Sequence, residues 1–208
     1  RTAETLLPFL VQQGFKSLLK TAEARFGVSA PIDDADAPQT ESGTIYELVQ
    51  TEKALKAWIE EAASAGVVAV DTETTSLDAL RAELVGVSLS VTPGRACYIP
   101  LGHKQPAAQG ALDLGGDGDI SGKSGDAPDQ IPLNKAIKLL KPMLEDPSIL
   151  KIGQNIKYDM KVLSRHGVTI TPVDDTMLLS YVLGGGLHGH GMDDLAKRFL
   201  DHETIKYS

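Results

Sequence analysis

Asp71 and Glu73 are the two residues of this chain best placed by type and spacing to do chemistry. They follow four small or β-branched apolar residues within Val67-Val-Ala-Val-Asp-Thr-Glu-Thr-Thr75. An apolar run of that kind forms a buried strand. Alternate side chains of an extended chain face the same way, so the two carboxylates project together. Held side by side at a strand end, they repel each other and lose hydration. A hard divalent cation with oxygen ligands is the natural compensation. Taken by themselves, Asp71 could equally end the strand and Glu73 sit solvated in a turn.

A third carboxylate stands where it could join them. Leu150-Lys-Ile-Gly153 is a short apolar strand, and a helix is expected to begin near Gln154 and end before Gly167. Asn155 and Asp159 are four apart, hence on one face of that helix. Sites of open α/β sheets gather at the carboxyl ends of strands, so Asp159 could meet Asp71 and Glu73 in space. Three such carboxylates could hold two hard cations roughly 4 Å apart, which clamp the attacking and leaving oxygens of a phosphoryl displacement. Alone, Asp159 would be a surface charge paired with Lys157 or Lys161. His188-Gly-His190 has no third His or Cys nearby and is expected to be a mobile loop. Gly184-Gly-Gly186 lacks the lysine and spacing of a phosphate-binding loop.

The elements that must position these residues follow from periodicity. Residues 2 to 26 are expected to be helical, broken near Gly14, and residues 44 to 49 to form a short strand. Glu52 to Ala65 should be a helix with Leu55, Trp58, Ile59 and Ala62 inward, closed by Gly66. Leu84 to Val91 and Ala96 to Pro100 should be antiparallel strands joined at Pro93-Gly94. Further on, a helix over 133–144, strands over 149–153 and 168–172, a helix over 174–183 and a last one over 192–200 are expected. Strands first, then strands alternating with helices, make the class α/β with a mixed sheet. Residues 31–43, acidic and Pro-bearing, should be a linker between residues 1–30 and a main domain over 44–208. The glycine-rich 105–127 stretch should be a flexible insertion.

Composition narrows the function classes. The net charge of −8 is wrong for a protein that binds nucleic acid through a broad basic surface. Any nucleic-acid function must use a local groove or a strand end, with metal ions supplying positive charge. No apolar run approaches the ~20 residues of a membrane span, so no membrane partner is expected. No signal peptide is visible, and the single Cys97 cannot form an internal disulfide, which fits a reducing cytoplasm. Starting on Arg1 rather than Met implies a piece of a longer chain. Oligomeric state is not readable.

Asp71-Thr-Glu-Thr74 and Gly153-Gln-Asn-Ile-Lys-Tyr-Asp159 together resemble the first two motifs of proofreading 3′–5′ exonuclease domains. The flanks resemble those of bacterial family A DNA polymerases: Leu84-Val-Gly-Val-Ser-Leu89, Tyr98-Ile-Pro100, Asp175-Thr-Met-Leu-Leu-Ser-Tyr181 and Met192-Asp-Asp-Leu-Ala-Lys-Arg-Phe-Leu200. The match runs from about residue 45 to the end, apart from the insertion, and residues 9–19 resemble the exit of a preceding 5′-nuclease region. The resemblance implies a ribonuclease-H-like α/β fold and removal of nucleoside monophosphates from a single-stranded DNA 3′ end with Mg²⁺ or Mn²⁺. By it, Asp71 would bridge two metals, Glu73 bind the first and Asp159 the second, with a metal-bound water as nucleophile. Thr74, Leu77, Asn155 and Tyr158 match groove positions, and Tyr207 would stack on terminal bases. A polymerase domain in the same full-length chain is the implied partner. The family's third motif, Tyr-x-x-x-Asp, does not occur in these 208 residues, so weak metal binding and little activity are expected of the segment alone. Two other assignments stay open. One is a ribonuclease-D-like or helicase-linked exonuclease, which shares both motifs but not the flanking text. The other is a non-catalytic module that binds single strands or supports a polymerase.

Overall fold

The apolar run ahead of Asp71 becomes the middle of a sheet. The computed structural model describes residues 3–12, 16–27, 44–104 and 127–204. The expected linker at 31–43, the insertion except its last residue, and Tyr207 lie outside the described residues. The strands are β1 (Ile45–Leu48), β2 (Val67–Thr74), β3 (Leu84–Thr92), β4 (Arg95–Pro100), β5 (Leu150–Gly153) and β6 (Val173–Asp175). They form one sheet in the order β1-β4-β3-β2-β5-β6. β2–β3 and β3–β4 pair antiparallel, whereas β1–β4, β2–β5 and β5–β6 pair parallel, so the sheet is mixed as expected.

The helices are α1 (Ala3–Gln12), α2 (Lys16–Phe26), α3 (Glu52–Ala65), α4 (Leu133–Glu145), α5 (Lys157–Ser164), α6 (Thr176–Gly184) and α7 (Met192–Leu200). The chain divides into two compact units, one of Arg1–Gln39 with Tyr181–Ser208, the other Thr40–Ser180. In the first, α1 and α2 meet through Leu7, Leu10 and Ala22. The second holds the sheet. There α3, capped by Thr51 and closed at Gly66, buries Leu55, Trp58 and Ala62, and α4 buries Ala136, Leu140, Met143 and Leu144. These side chains share one core with Val68, Val70, Val87, Leu89 and Ile99 of the sheet, and with Cys97, whose thiol burial pushes up to about 12. Removing a thiolate from water disfavours its charge, so Cys97 is an inert core residue.

Four expectations change. β2 does not stop at the apolar run; pairing of Asp71 with Ser88 and Glu73 with Gly86 carries it to Thr74, so the carboxylates lie within the strand. Residues 168–172 form no strand, because the Val168 and Thr171 amides donate to the carbonyls of Leu163 and Leu144 instead of to a sheet neighbour. Asp174 and Asp175 end β6 rather than open α6, since Ile152 and Gly153 of β5 pair with them. Asn155 precedes α5 instead of belonging to it, with a left-handed backbone at φ 56.

Candidate active site

The pleat of β2 decides which groups reach the open face. Val68, Val70 and Thr72 point into the core, while Ala69, Asp71 and Glu73 are exposed on the other side. Both carboxylates therefore project together, as period-two spacing requires. Asp159 arrives from α5 at the same strand. It is only 3% exposed, and its Oδ1 accepts the Thr72 amide N–H at 2.9 Å and the Thr72 hydroxyl at 2.5 Å. Lys157 and Lys161 form no ion pair with it; among the described residues neither lysine has a carboxylate within ion-pair reach. The solvated surface charge that Asp159 could have been is ruled out by its burial.

The negative charges gathered here raise the proton affinity of Asp71. The Asp71 carboxyl is pushed up to about 6, first by burial and then by the charges of Asp159 and Glu73, with a hydrogen bond from the Thr72 amide pulling the other way. Asp159 is raised as well: burial dominates, the Thr72 bonds oppose it, and the charge of Asp175 adds to it. Such a set lacks positive charge. Its donors are all hard carboxylate oxygens, which fits Mg²⁺ or Mn²⁺ and not a soft metal. Among the described residues no three His, Cys, Asp or Glu side chains stand where they could hold a metal ion together.

Beside the carboxylates runs a groove of about 300 Å³ lined by Leu77, Leu80, Asn155, Lys157, Tyr158 and Lys161, with Asp78 and Ala79. Its far wall is the loop after β2, which is tied down. The Thr75 amide donates to the Glu83 carbonyl, the Glu83 amide to the Thr75 hydroxyl, and Arg165 at the end of α5 donates to the Ala79 and Ala82 carbonyls. With Ala79 and Ala82 buried, Leu77 and Leu80 are held outward, 97% and 72% exposed. The other wall is α5, where Tyr158 shares its hydroxyl with Thr74 at 2.5 Å and with the Ser76 carbonyl. Thus Leu77, Asn155 and Tyr158 of the expected groove residues line it, and Thr74 fixes one wall through Tyr158. Leu80, Lys157 and Lys161 also line it and were not singled out. The signal was present, since the lysines are four apart and flank Asp159 by two residues on each side.

The paired histidines serve packing. The His188 and His190 rings lie 5.0 Å apart, edge-on to Phe199 and Tyr181 respectively, and His190 hydrogen-bonds the Gly185 carbonyl. No helix of the described residues is long and apolar enough to cross a membrane.

A carboxylate pair on β2, a third carboxylate on the helix after the parallel neighbour β5, and a groove between α5 and the loop after β2 define a class. Residues 46–208 match the 3′–5′ exonuclease family, and the chain belongs to it. Two curated relatives are each named DNA polymerase I. That of Rhizobium leguminosarum is 42% identical over 203 residues, covering 90% of this chain and 19% of the relative. That of Pseudomonas aeruginosa is 38% identical over 165 residues, covering 78% and 16%. The chain thus spans less than a fifth of the length of either. Among solved structures, RNase D of Escherichia coli superimposes with a TM-score of 0.53 at 19% identity, over 77% of this chain and 35% of that one, which shows the shared fold. The domain is a 3′–5′ exonuclease domain of the DNA polymerase I kind, with a ribonuclease-H-like α/β fold.

Proposed function

We propose that this domain hydrolyses the terminal phosphodiester at the 3′ end of single-stranded DNA, and that it proofreads for a polymerase domain in the same full-length protein. The observation that carries the reading is the meeting of Asp71 with Asp159 and Glu73, carboxylates from distant parts of the chain, on the two elements that also wall a groove with apolar and cationic side chains. Asp71, Glu73 and Asp159 are the residues that would hold a divalent cation. A divalent cation held there supplies positive charge for the phosphate oxygens and lowers the pKa of water. The chain's own residues do the rest. Leu77 and Leu80 offer apolar surface to the last bases without reading their sequence. Lys157 and Lys161 take phosphates, and Asn155 offers an amide to the sugar-phosphate edge. The Tyr158 hydroxyl is engaged by Thr74 and Ser76 and so holds a wall in place.

A 5′-labelled single-stranded DNA incubated with the full natural chain and Mg²⁺ tests the direction. It should shorten stepwise from its 3′ end, and the products should be nucleoside monophosphates. A 3′ end that stays intact in Mg²⁺ would sink the proposal, and preference for an RNA strand of the same sequence would favour ribonuclease-D-like chemistry. The lysines make a separate prediction. Lys157→Ala with Lys161→Ala should weaken single-strand affinity roughly tenfold at ~0.1 M salt and flatten the dependence of log affinity on log salt by about 0.7 per lysine. An unchanged slope, measured by fluorescence anisotropy, would remove the phosphates from this wall.

Cation binding should show in stability and in its pH dependence. Burial and the neighbouring carboxylates push the Asp71 carboxyl up to about 6, from its ordinary 3.8. The folded state therefore holds the proton more tightly, and this group's contribution to stability is complete below about pH 4 and is lost as pH rises through 6. A cation restores the loss at high pH and competes with the proton at low pH. Mg²⁺ at ten times its Kd should stabilise the chain at pH 8 by about 1.4 kcal/mol, a rise in Tm of roughly 3–5 °C, and by far less at pH 5. Equal shifts at the two pH values in thermal unfolding would place the cation elsewhere.

A further inference from the structure

The corner between β5 and α5 is held from twenty residues downstream. Asp175, the last residue of β6, is 7% exposed, and its Oδ1 accepts the backbone N–H groups of Asn155 at 3.0 Å, Met177 at 2.9 Å and Leu178 at 3.3 Å. The last two bonds are an ordinary N-cap on α6. The first crosses to another element and grips a residue at φ 56, a region that side chains other than glycine seldom visit. Thr176 adds a second clasp on the same corner, donating its hydroxyl to the Gly153 carbonyl at 3.2 Å and to the Gln154 side chain. At Gly153 itself a Cβ would come within 2.9 Å of Ile156, so the corner folds back tightly on its own strand.

A cap alone does not explain Asp175. Ser, Thr or Asn caps as well from a half-solvated position, yet this carboxylate is buried and its Oδ2 has no hydrogen-bond partner. A buried, half-satisfied carboxylate is unfavourable and persists where its satisfied oxygen is needed. What that oxygen reaches, beyond its own helix, is the Asn155 amide. From there the path to the site is short. The Asn155 carbonyl accepts the Tyr158 amide at 3.0 Å and the Ile156 carbonyl accepts the Met160 amide at 2.9 Å, starting the turn that carries Asp159 to Thr72.

We propose that Asp175 is the positioning residue of this site: by holding Asn155 in the left-handed conformation it sets where Asp159 stands against Asp71. The activity part rests on the exonuclease reading; the structural part does not.

The test uses the full natural chain with Asp175→Asn, Asp175→Ala, Asn155→Gly and the Asp175→Ala, Asn155→Gly double variant. Asp175→Asn keeps the Oδ1 acceptor, so kcat for 3′ release should stay within about threefold of the parent. Asp175→Ala frees the corner, and a displacement near 1 Å should lower kcat about 10²-fold with KM within about threefold. Glycine adopts positive φ unaided, so the double variant should regain at least ~10-fold in kcat over Asp175→Ala, with Asn155→Gly as its reference. Amide exchange at Asn155 should quicken more than ~10-fold in Asp175→Ala and not in Asp175→Asn. Kcat of Asp175→Ala within threefold of the parent, an equal loss in Asp175→Asn, or no recovery in the double variant would each reduce Asp175 to a cap of α6 and overturn the proposal. Should Asp175→Ala fail to fold, Asp175→Asn decides: near-parental kcat with slow exchange at Asn155 supports the role, and a hundredfold loss overturns it. Absence of any 3′ release by the parent chain would defeat the exonuclease reading instead, and exchange at Asn155 would still decide the role of Asp175.

Discussion

Asp71→Ala is expected to lower the rate of 3′ nucleotide release by at least ~10³-fold while leaving the domain folded and slightly more stable. The two effects have one cause. Asp71 sits between Glu73 and Asp159, so its removal takes away the donor nearest both neighbours and the charge that repels both. Its backbone pairing with Ser88 does not involve the side chain, so the sheet register should persist. At pH 8 the ionised group opposes folding; because its carboxylate faces solvent on one side, the gain on removing it should be about 1 kcal/mol, roughly a third of what the displaced titration alone implies. Asp159→Ala should be as inactive but less stable, since it strands the Thr72 amide and hydroxyl in a buried place at about 1–3 kcal/mol. Single-turnover assays paired with thermal unfolding separate the two. An Asp71→Ala protein that keeps more than about a tenth of parental activity would move the reaction away from this strand.

Lys151→Met should destabilise the domain by about 3–5 kcal/mol, the largest stability loss expected from one substitution here. Lys151 lies in β5 with 0% exposure, deep in a position where an apolar residue would be expected. Its ammonium group donates to the carbonyls of Asp146 at 2.8 Å, Ile149 at 2.6 Å and Met143 at 3.4 Å, and also to Thr171. Burial lowers its pKa, and the Asp146 charge acts in the opposite sense. One cation thereby satisfies the end of α4, the turn after it and the segment leading to β6. Methionine fills the volume but leaves those carbonyls buried without donors. A fall in Tm of roughly 10 °C is expected for a domain of this size. Denaturant unfolding of the full natural chain should show the same loss in the transition of this domain; a shift under 1 kcal/mol would mean that water replaces the ammonium group.

Much of this was legible in the chain itself. The helix from Glu52 to Ala65 was marked by Gly66 after it and by Leu55, Trp58 and Ala62 at helical spacing, all local signals. Val168 to Pro172 misled because its alternating buried residues, Val168 and Ile170, imitate a strand while its amides serve helix ends. Asp174 and Asp175 looked like a helix start because acidic residues favour that place; pairing with β5, set twenty residues earlier in the chain, put them in a strand.

The same division runs through the site. That Asp71 and Glu73 share a face needed only the two-residue repeat of an extended chain, which any strand imposes. That Asp159 joins them depended on contacts no periodicity contains. Its partner Thr72 lies 87 residues away, brought near by the parallel pairing of β2 with β5. Helical spacing would have put Asn155 on the same face as Asp159. Instead the Asp175 carboxylate holds Asn155 outside the helix, because a buried acceptor takes its amide in preference to an α-helical turn. Local spacing sets which way a side chain points along its own element; the place where two elements meet is settled by sheet pairing and by buried hydrogen bonds between segments far apart in the chain.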